Sequence, residues 1–293
     1  MVSVTYRDGY HYPTYPPYVN LETFCYCNAK CIFCNYQSMV RNRGKMSMDL
    51  VHKVVDEVAS WNIPVVFVPA FYGEPFLDPD IFNILRYIDD TAHMSKIDMF
   101  TNGSVVDDKK IDELVKIKNL RSIGFSLYAY YPETYERLMG LPNDTILKID
   151  HALSRFESER PDIVTCVAYT SDPYYLSGIE FELMAKKWGK YSNPHRMVYN
   201  KQMPIYIPTS PQSSACATMF TNMVVSHNGV VALCCHDVNC EITIGDVTKD
   251  TLFDIWNGET ANKYRDFHAC GKRKIIPLCE SCTYDGIYSG IIR

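Results

Sequence analysis

Three cysteines stand close together early in the chain, Cys27, Cys31 and Cys34, in the spacing C-x3-C-x2-C. Thiolates so spaced on one loop can bind three irons of a [4Fe–4S] cube and leave the fourth iron open to a small chelating ligand. A zinc site or a chance cluster is the competing explanation, although zinc usually takes four ligands, often as paired C-x2-C units. A second set, Cys216, Cys234, Cys279 and Cys282, lies near the C-terminus, its last two members as C-x2-C. Four thiolates from two hairpin-like regions make a closed site for zinc or for a [4Fe–4S] cluster, and spacing alone leaves that choice open.

Other residues have weaker claims. Cys235 stands beside Cys234 and is either a buried small side chain or a reactive thiol. Asp237 and His236 are candidate general bases or polar groups of a hairpin. Cys25, Cys166, Cys240 and Cys270 read as core or loop residues.

The elements that must position these groups follow from periodicity. Segments 18–24, 64–69, 96–100, 121–127, 163–169 and 196–199 read as strands. Segments 47–60, 79–89, 108–117, 132–139, 145–156 and 179–187 read as helices between them. About six strand–helix units imply a parallel sheet covered by helices, with reactive groups at the C-terminal strand ends. Residues 1–16, rich in Tyr and Pro, form an extended lead-in. The segment 200–212, with Pro204, Pro208 and Pro211, breaks the alternation and places a domain boundary at 205/206. Beyond it, His227-Asn228-Gly229 between apolar runs predicts a hairpin, and 251–257 and 260–267 predict short helices. Residues 206–293 are thus a small metal-stapled module.

Composition excludes several classes. The chain is 293 residues long, 47% hydrophobic and 22% charged, which is ordinary for a globular protein. A net charge of -5 carries no electrostatic footprint for nucleic acid. No apolar run is long enough to span a membrane, and Met1–Arg7 lacks the basic n-region and apolar stretch of a signal peptide, so a cytoplasmic location is expected. There, 12 cysteines point to metal or redox chemistry and not to disulfides.

Residues 18 to about 200 resemble the radical S-adenosylmethionine (radical SAM) superfamily. The resemblance rests on four segments: loop 27–34 with Phe33 before its last cysteine; Tyr72-Gly73-Glu74-Pro75 after the second strand; Thr101-Asn102-Gly103 after the third; and Ser126 ending the fourth. It implies a partial (β/α)6 TIM-like barrel in which the open iron chelates SAM. Reductive cleavage of SAM then yields a 5′-deoxyadenosyl radical. Tyr72–Pro75 matches the family's Gly-Gly-Glu segment, which binds the SAM amino group, with Tyr72 in place of the first Gly. Phe33, Asn102 and Ser126 are the implied further SAM contacts. Turn or capping roles compete for Glu74 and Asn102, and Ser126 reads equally well as a plain strand residue.

Gly229, Cys234, Ile244-Gly245-Asp246-Val247, Ile255-Trp256 and Cys279-Glu280-Ser281-Cys282 resemble the SPASM/twitch extension of the same superfamily. No cysteine follows Cys282, which matches the shorter twitch form with one auxiliary cluster. The spacing is most similar to the cyclitol-dehydrogenase branch of the group. The resemblance therefore implies SAM and two [4Fe–4S] clusters, the auxiliary one on Cys216, Cys234, Cys279 and Cys282. It also implies an external one-electron reductant such as flavodoxin or ferredoxin.

Three outcomes compete for the substrate radical: dehydrogenation with the auxiliary cluster as electron acceptor, epimerisation with Cys235 returning a hydrogen atom, and modification of a ribosomal peptide. Only 26 residues precede Cys27, fewer than the roughly 80–90 of a leader-binding domain. The expectation is therefore a small polar substrate, a sugar or aminocyclitol. A non-enzymatic iron–sulfur or zinc scaffold is the alternative of a different class.

Overall fold

The computed structural model describes residues 4–7, 10–170, 172–195, 202, 214–284 and 286. Its elements in chain order begin with a hairpin of β1 (Val4–Arg7) and β2 (Tyr10–Pro13), followed by β3 (Tyr18–Leu21) and α1 (Met48–Ser60). Next come β4 (Val66–Val68), α2 (Ile81–Thr91), β5 (Lys96–Thr101), α3 (Asp108–Leu114) and β6 (Leu120–Ser126). Two helices, α4 (Pro132–Met139) and α5 (Thr145–Glu159), precede β7 (Val164–Thr170), α6 (Gly178–Trp188) and β8 (Ser192–His195). The C-terminal part holds α7 (Thr218–Thr221), β9 (Asn222–Val225), β10 (Val230–Ala232), β11 (Thr243–Asp246), α8 (Leu252–Asn257) and α9 (Glu259–Ala269).

Nine of the described strands form one open sheet in the order β11-β10-β9-β3-β4-β5-β6-β7-β8. Strands β3 to β8 run parallel, each neighbour reached through helical crossovers, as the alternating pattern required. The sheet does not close, in keeping with a partial barrel. Strand β9 adds to it in parallel beside β3, while β10 and β11 are antiparallel.

Local sequence explains the elements. Helix α1 starts where the Ser47 hydroxyl accepts from the Leu50 N–H, and it buries Val51, Val54, Val55 and Val58 at helical spacing. Helix α4 begins on Pro132 and ends at Gly140, whose φ of 61° is the left-handed conformation that glycine adopts without strain. The hairpin expected around His227-Asn228-Gly229 joins β9 to β10, with Gly229 at φ 90°.

The N-terminal lead-in is extended but folds back on itself as the β1–β2 hairpin. It is held to the C-terminal part by Trp256 Nε1, which donates to the Pro13 carbonyl at 2.8 Å, and by Tyr10, which donates to Asp266 at 2.9 Å. The strand expected at 196–199 and the boundary at 205/206 lie outside the described residues. Strand β11 was read only as a motif, because Thr243–Asp246 shows no apolar alternation.

Candidate active site and auxiliary thiol site

The loop from Phe24 to Cys34 follows β3 and is fastened at several points. Lys30 N–H donates to the Met139 carbonyl at 2.9 Å and Ile32 N–H to that of Leu138 at 3.0 Å, so the end of α4 braces the middle of the loop. Gly140 permits this approach, since a Cβ there would lie 2.8 Å from that of Lys30. The Tyr36 hydroxyl is 3.2 Å from the Cys27 nitrogen, and Tyr36 N–H donates to Cys34 Sγ at 3.4 Å. Burial raises all three thiols, Cys27 to about 11, and the charges of Cys34 and Cys27 raise Cys31 further. The charge that Cys27 and Cys34 exert on Cys31 marks the three sulfurs as neighbours in one partly buried space.

The other implied SAM residues gather at neighbouring strand ends. Gly73 lies at φ 145°, and a Cβ there would stand 2.2 Å from the Phe24 carbonyl oxygen, so only glycine lets this segment press against the cysteine loop. Glu74 N–H donates to the Tyr26 carbonyl at 2.8 Å. The Glu74 carboxylate is buried, accepting from Thr101 Oγ1 at 2.7 Å, Asn102 N–H at 2.7 Å and Phe76 N–H at 3.2 Å. Burial outweighs these bonds and pushes it up to about 7. Its side chain ties the segment after β4 to the one after β5, which is the turn-bracing role that competed with SAM contact. Asn102 reaches the loop itself: Nδ2 donates to Asn28 Oδ1 at 2.9 Å and stands 3.9 Å from Cys27 Sγ. Phe33 is buried with its ring 4.6 Å from that of Tyr128. Ser126 sits half-buried at the end of β6, paired with Ala168.

The C-terminal thiols converge on one small pocket, lined by Cys216, Cys234, Cys279 and Cys282 together with His236, His268, Arg273 and Tyr284. Among the described residues no three of these thiols lie within 4.8 Å of one another. Sulfurs around a tetrahedral zinc with bonds of about 2.3 Å stand only about 3.8 Å apart. The thiols are thus not gathered as tightly as a zinc tetrahedron requires, and four thiolates are the donor set that a [4Fe–4S] cluster takes. Cys235 does not line the cavity, yet its thiol is raised to about 12, by burial first and then by Cys216 and Cys282. Asp237 is fully buried and commits both oxygens. Oδ1 accepts from Gln202 at 3.1 Å and Glu241 N–H at 2.9 Å, and Oδ2 accepts from Ile242 N–H at 2.9 Å. It closes the turn that carries Cys234 and Cys235. His236 packs edge-on against Tyr284, with burial lowering it to about 4.

Tyr72, where the family pattern has glycine, links the two regions. Burial raises its hydroxyl well above the usual range, followed by the charges of Cys34, Cys235 and Cys234, so the ring is within electrostatic reach of both thiol sets. A second link was invisible to motif reading. Glu22, at the end of β3, accepts from Arg41 Nη1 at 2.8 Å and Nη2 at 2.5 Å, from Tyr72 N–H at 3.3 Å and from His227 N–H at 3.2 Å. Burial alone would raise this carboxyl, but His227 and Arg41 outweigh it and hold it below the usual range. Glu22, Cys25 and His227 also meet the spacing of a metal site, although the bound guanidinium already supplies the positive charge. Tyr128 was missed as well. Its φ of 58° is left-handed for a bulky side chain, and Cys31 and Cys34 stand close enough to raise its hydroxyl further after burial. A strand-end position two residues past Ser126 was the available signal.

Comparison with known proteins agrees with this architecture. The radical SAM superfamily model matches residues 21–170, and the iron–sulfur cluster-binding SPASM domain model matches residues 216–283. The chain belongs to the radical SAM superfamily. It is thus an enzyme using SAM and iron–sulfur clusters, and the two domains account for two [4Fe–4S] clusters. The chain is 19% identical over 271 residues to the S-adenosyl-L-methionine-dependent 2-deoxy-scyllo-inosamine dehydrogenase of Niallia circulans, covering 90% of this chain and 92% of that one. It is 27% identical over 128 residues to the AdoMet-dependent heme synthase of Methanosarcina barkeri, covering 43% of this chain and 35% of that one. Among solved structures, BtrN in complex with AdoMet and 2-DOIA is similar in fold, with TM-score 0.65 and 16% identity over 91% of this chain and 92% of that one. SuiB of Streptococcus suis bound to its precursor peptide SuiA has TM-score 0.62 and 17% identity over 93% of this chain and 70% of that one.

Proposed function

We propose that the chain dehydrogenates a secondary alcohol of a small polar substrate, a sugar or an aminocyclitol. Cys27, Cys31 and Cys34 hold the SAM-binding cluster, and Cys216, Cys234, Cys279 and Cys282 hold the auxiliary one. The observation that carries this reading is the four-thiol cavity in a chain that also has an open three-thiol loop. Near full-length similarity to the 2-deoxy-scyllo-inosamine dehydrogenase supports it.

When bound, the SAM-site cluster supplies the electron that cleaves SAM to a 5′-deoxyadenosyl radical. The chain's own residues position and shield that event. Lys30 and Ile32 fix the loop through α4, Asn102 orients Asn28 and Cys27, and Gly73 brings its segment against the loop. Phe33, Ser126 and the backbone of Tyr72-Gly73 are the proposed SAM contacts, with Glu74 bracing them from behind. The substrate carbon would give its hydrogen atom to the deoxyadenosyl group, and the hydroxyl its proton to water. The auxiliary site would accept the remaining electron, and an external one-electron reductant of the flavodoxin or ferredoxin type would supply the electron for SAM cleavage. Asp237 serves by holding the turn of Cys234 and Cys235. A cytoplasmic setting belongs to the same reading, supported by cysteines that are all free of disulfides; no helix among the described residues is long and apolar enough to cross a membrane.

Epimerisation is the second reading, favoured by Cys235, whose thiol stands outside the four-thiol cavity and within reach of Tyr72. Peptide modification has its support in the fold of SuiB. Anaerobic reconstitution followed by dithionite and a panel of sugars, aminocyclitols and peptides tests all three. The expected result is 5′-deoxyadenosine formed in step with a ketone product free of solvent deuterium. Deuterium at the reacting carbon, lost in Cys235→Ala, establishes the epimerase instead. An intact SAM pool sinks the enzymatic reading.

A further inference from the structure

The cavity lined by the four C-terminal thiols has an asymmetric wall. On one side stands Arg273, 1% exposed, with Nη1 donating to the Ser214 carbonyl at 3.1 Å and Nη2 to that of Tyr284 at 3.0 Å. Its Nε is buried with no hydrogen-bond partner among the described residues, while the guanidinium faces the Cys282 thiol. A buried donor left without a partner is costly, and a negatively charged acceptor in the pocket would satisfy it. Beside it, His268 Nδ1 accepts the Cys216 N–H at 3.0 Å. A ring nitrogen that accepts carries no proton, so the hydrogen sits on Nε2, which faces Cys279 Sγ at 3.7 Å.

Both features fit a [4Fe–4S] cluster on these thiols. Such a cluster carries net negative charge that grows by one unit on reduction. Its potential depends on the surrounding charge and on hydrogen bonds to its sulfurs. Apolar burial resists the added electron, and a fixed cation and an N–H···S bond favour it.

We propose that Arg273 and His268 tune the auxiliary cluster, raising its reduction potential so that it takes the electron left on the oxidised substrate. This rests on the dehydrogenase reading for its purpose but not for its physics. One electron leaves the substrate as its hydroxyl proton departs, the cluster is reduced by one electron, and a one-electron carrier protein reoxidises it. Both side chains are positioning residues, acting through the cluster and not on the substrate.

The test is a redox titration, followed by electron paramagnetic resonance, of the reconstituted full chain. It is run in the holoenzyme and in a Cys27→Ala, Cys31→Ala, Cys34→Ala background that isolates the auxiliary signal. Arg273→Gln is expected to shift the reduction equilibrium at least about tenfold toward the oxidised form, or 59 mV for a one-electron couple. Arg273→Lys is expected to recover most of the shift, and His268→Phe to show a several-fold shift. An unchanged potential in Arg273→Gln, with about four auxiliary irons retained, overturns the proposal. If Arg273→Gln fails to hold its cluster, His268→Phe decides, and no change there overturns it. A lowered potential with unchanged substrate oxidation supports the tuning and removes the electron-acceptor reading alone. A parent protein without iron at the second site overturns both.

Discussion

The two thiol sets solve opposite problems with the same side chain. Cys27, Cys31 and Cys34 come from one short loop, braced by backbone contacts to α4 and touched by one amide, Asn102. Cys216, Cys234, Cys279 and Cys282 arrive from separate segments and close on a cavity with Arg273 and His268 in its wall. Three ligands leave a place for a substrate that must come and go. On the proposed reading, four ligands leave nothing to exchange and suit the transfer of charge alone. The contrast lies less in the cysteines than in what surrounds them.

Removing one thiol from each set separates the roles and has the largest expected effect. Cys31→Ala is expected to abolish 5′-deoxyadenosine production and to cut iron from about eight to about four per chain. Cys279→Ala is expected to keep SAM cleavage and lose the oxidised product. Cleavage that survives Cys31→Ala, measured by chromatography of the quenched reaction, would break the comparison. Next in size is the clasp between the two regions. Arg41→Met leaves the buried Glu22 carboxylate without its cation and is expected to cost about 3–5 kcal/mol, read as a drop in the urea midpoint of the anaerobic holoprotein.

The first site also has a pH signature. Glu74 titrates at about 7 in the folded chain against an ordinary 4.5, so between those values the folded state holds a proton that the unfolded chain has lost. Stability is therefore expected to fall as pH rises from about 4.5 through about 7, by up to about 3 kcal/mol, and to flatten above. Urea midpoints from pH 5 to 8 should show this slope in the parent and a flatter profile in Glu74→Gln. An equal slope in both would assign it elsewhere. The smallest effect is expected from Asn102→Ala, which loses bonds to Asn28 and Cys27. About 1 kcal/mol, roughly fivefold in the KM for SAM with little change in kcat, would mark it as a positioning group.

Much of this was legible in the sequence because it is local. The C-x3-C-x2-C spacing, the helical run Val51, Val54, Val55, Val58 and the Asn228-Gly229 turn each need only neighbours to be understood. What escaped depends on partners far along the chain. Nothing near Glu22 announces Arg41 and His227, and Arg273 looks like one more surface cation in Gly271-Lys272-Arg273-Lys274. His268 reads as an unremarkable residue in the last turn of α9 until its ring is seen between Cys216 and Cys279. Glu74 was legible as a site residue, while the direction of its carboxylate, toward Thr101 and Asn102, was not.

Strand β9 pairs with β3 in parallel from Tyr18↔Asn222 to Leu21↔Val225, so the cysteine loop leaves the sheet from a strand whose far side is covered by the C-terminal part. A chimera that joins this N-terminal half to a relative's C-terminal half must therefore preserve four residues of strand register as well as the cysteines. A crossover that slips by one residue turns the inward side chains of β9 outward, and one that deletes the strand bares an edge prone to pairing with other chains. The shared sheet therefore makes the two thiol sites a single unit in any such recombination.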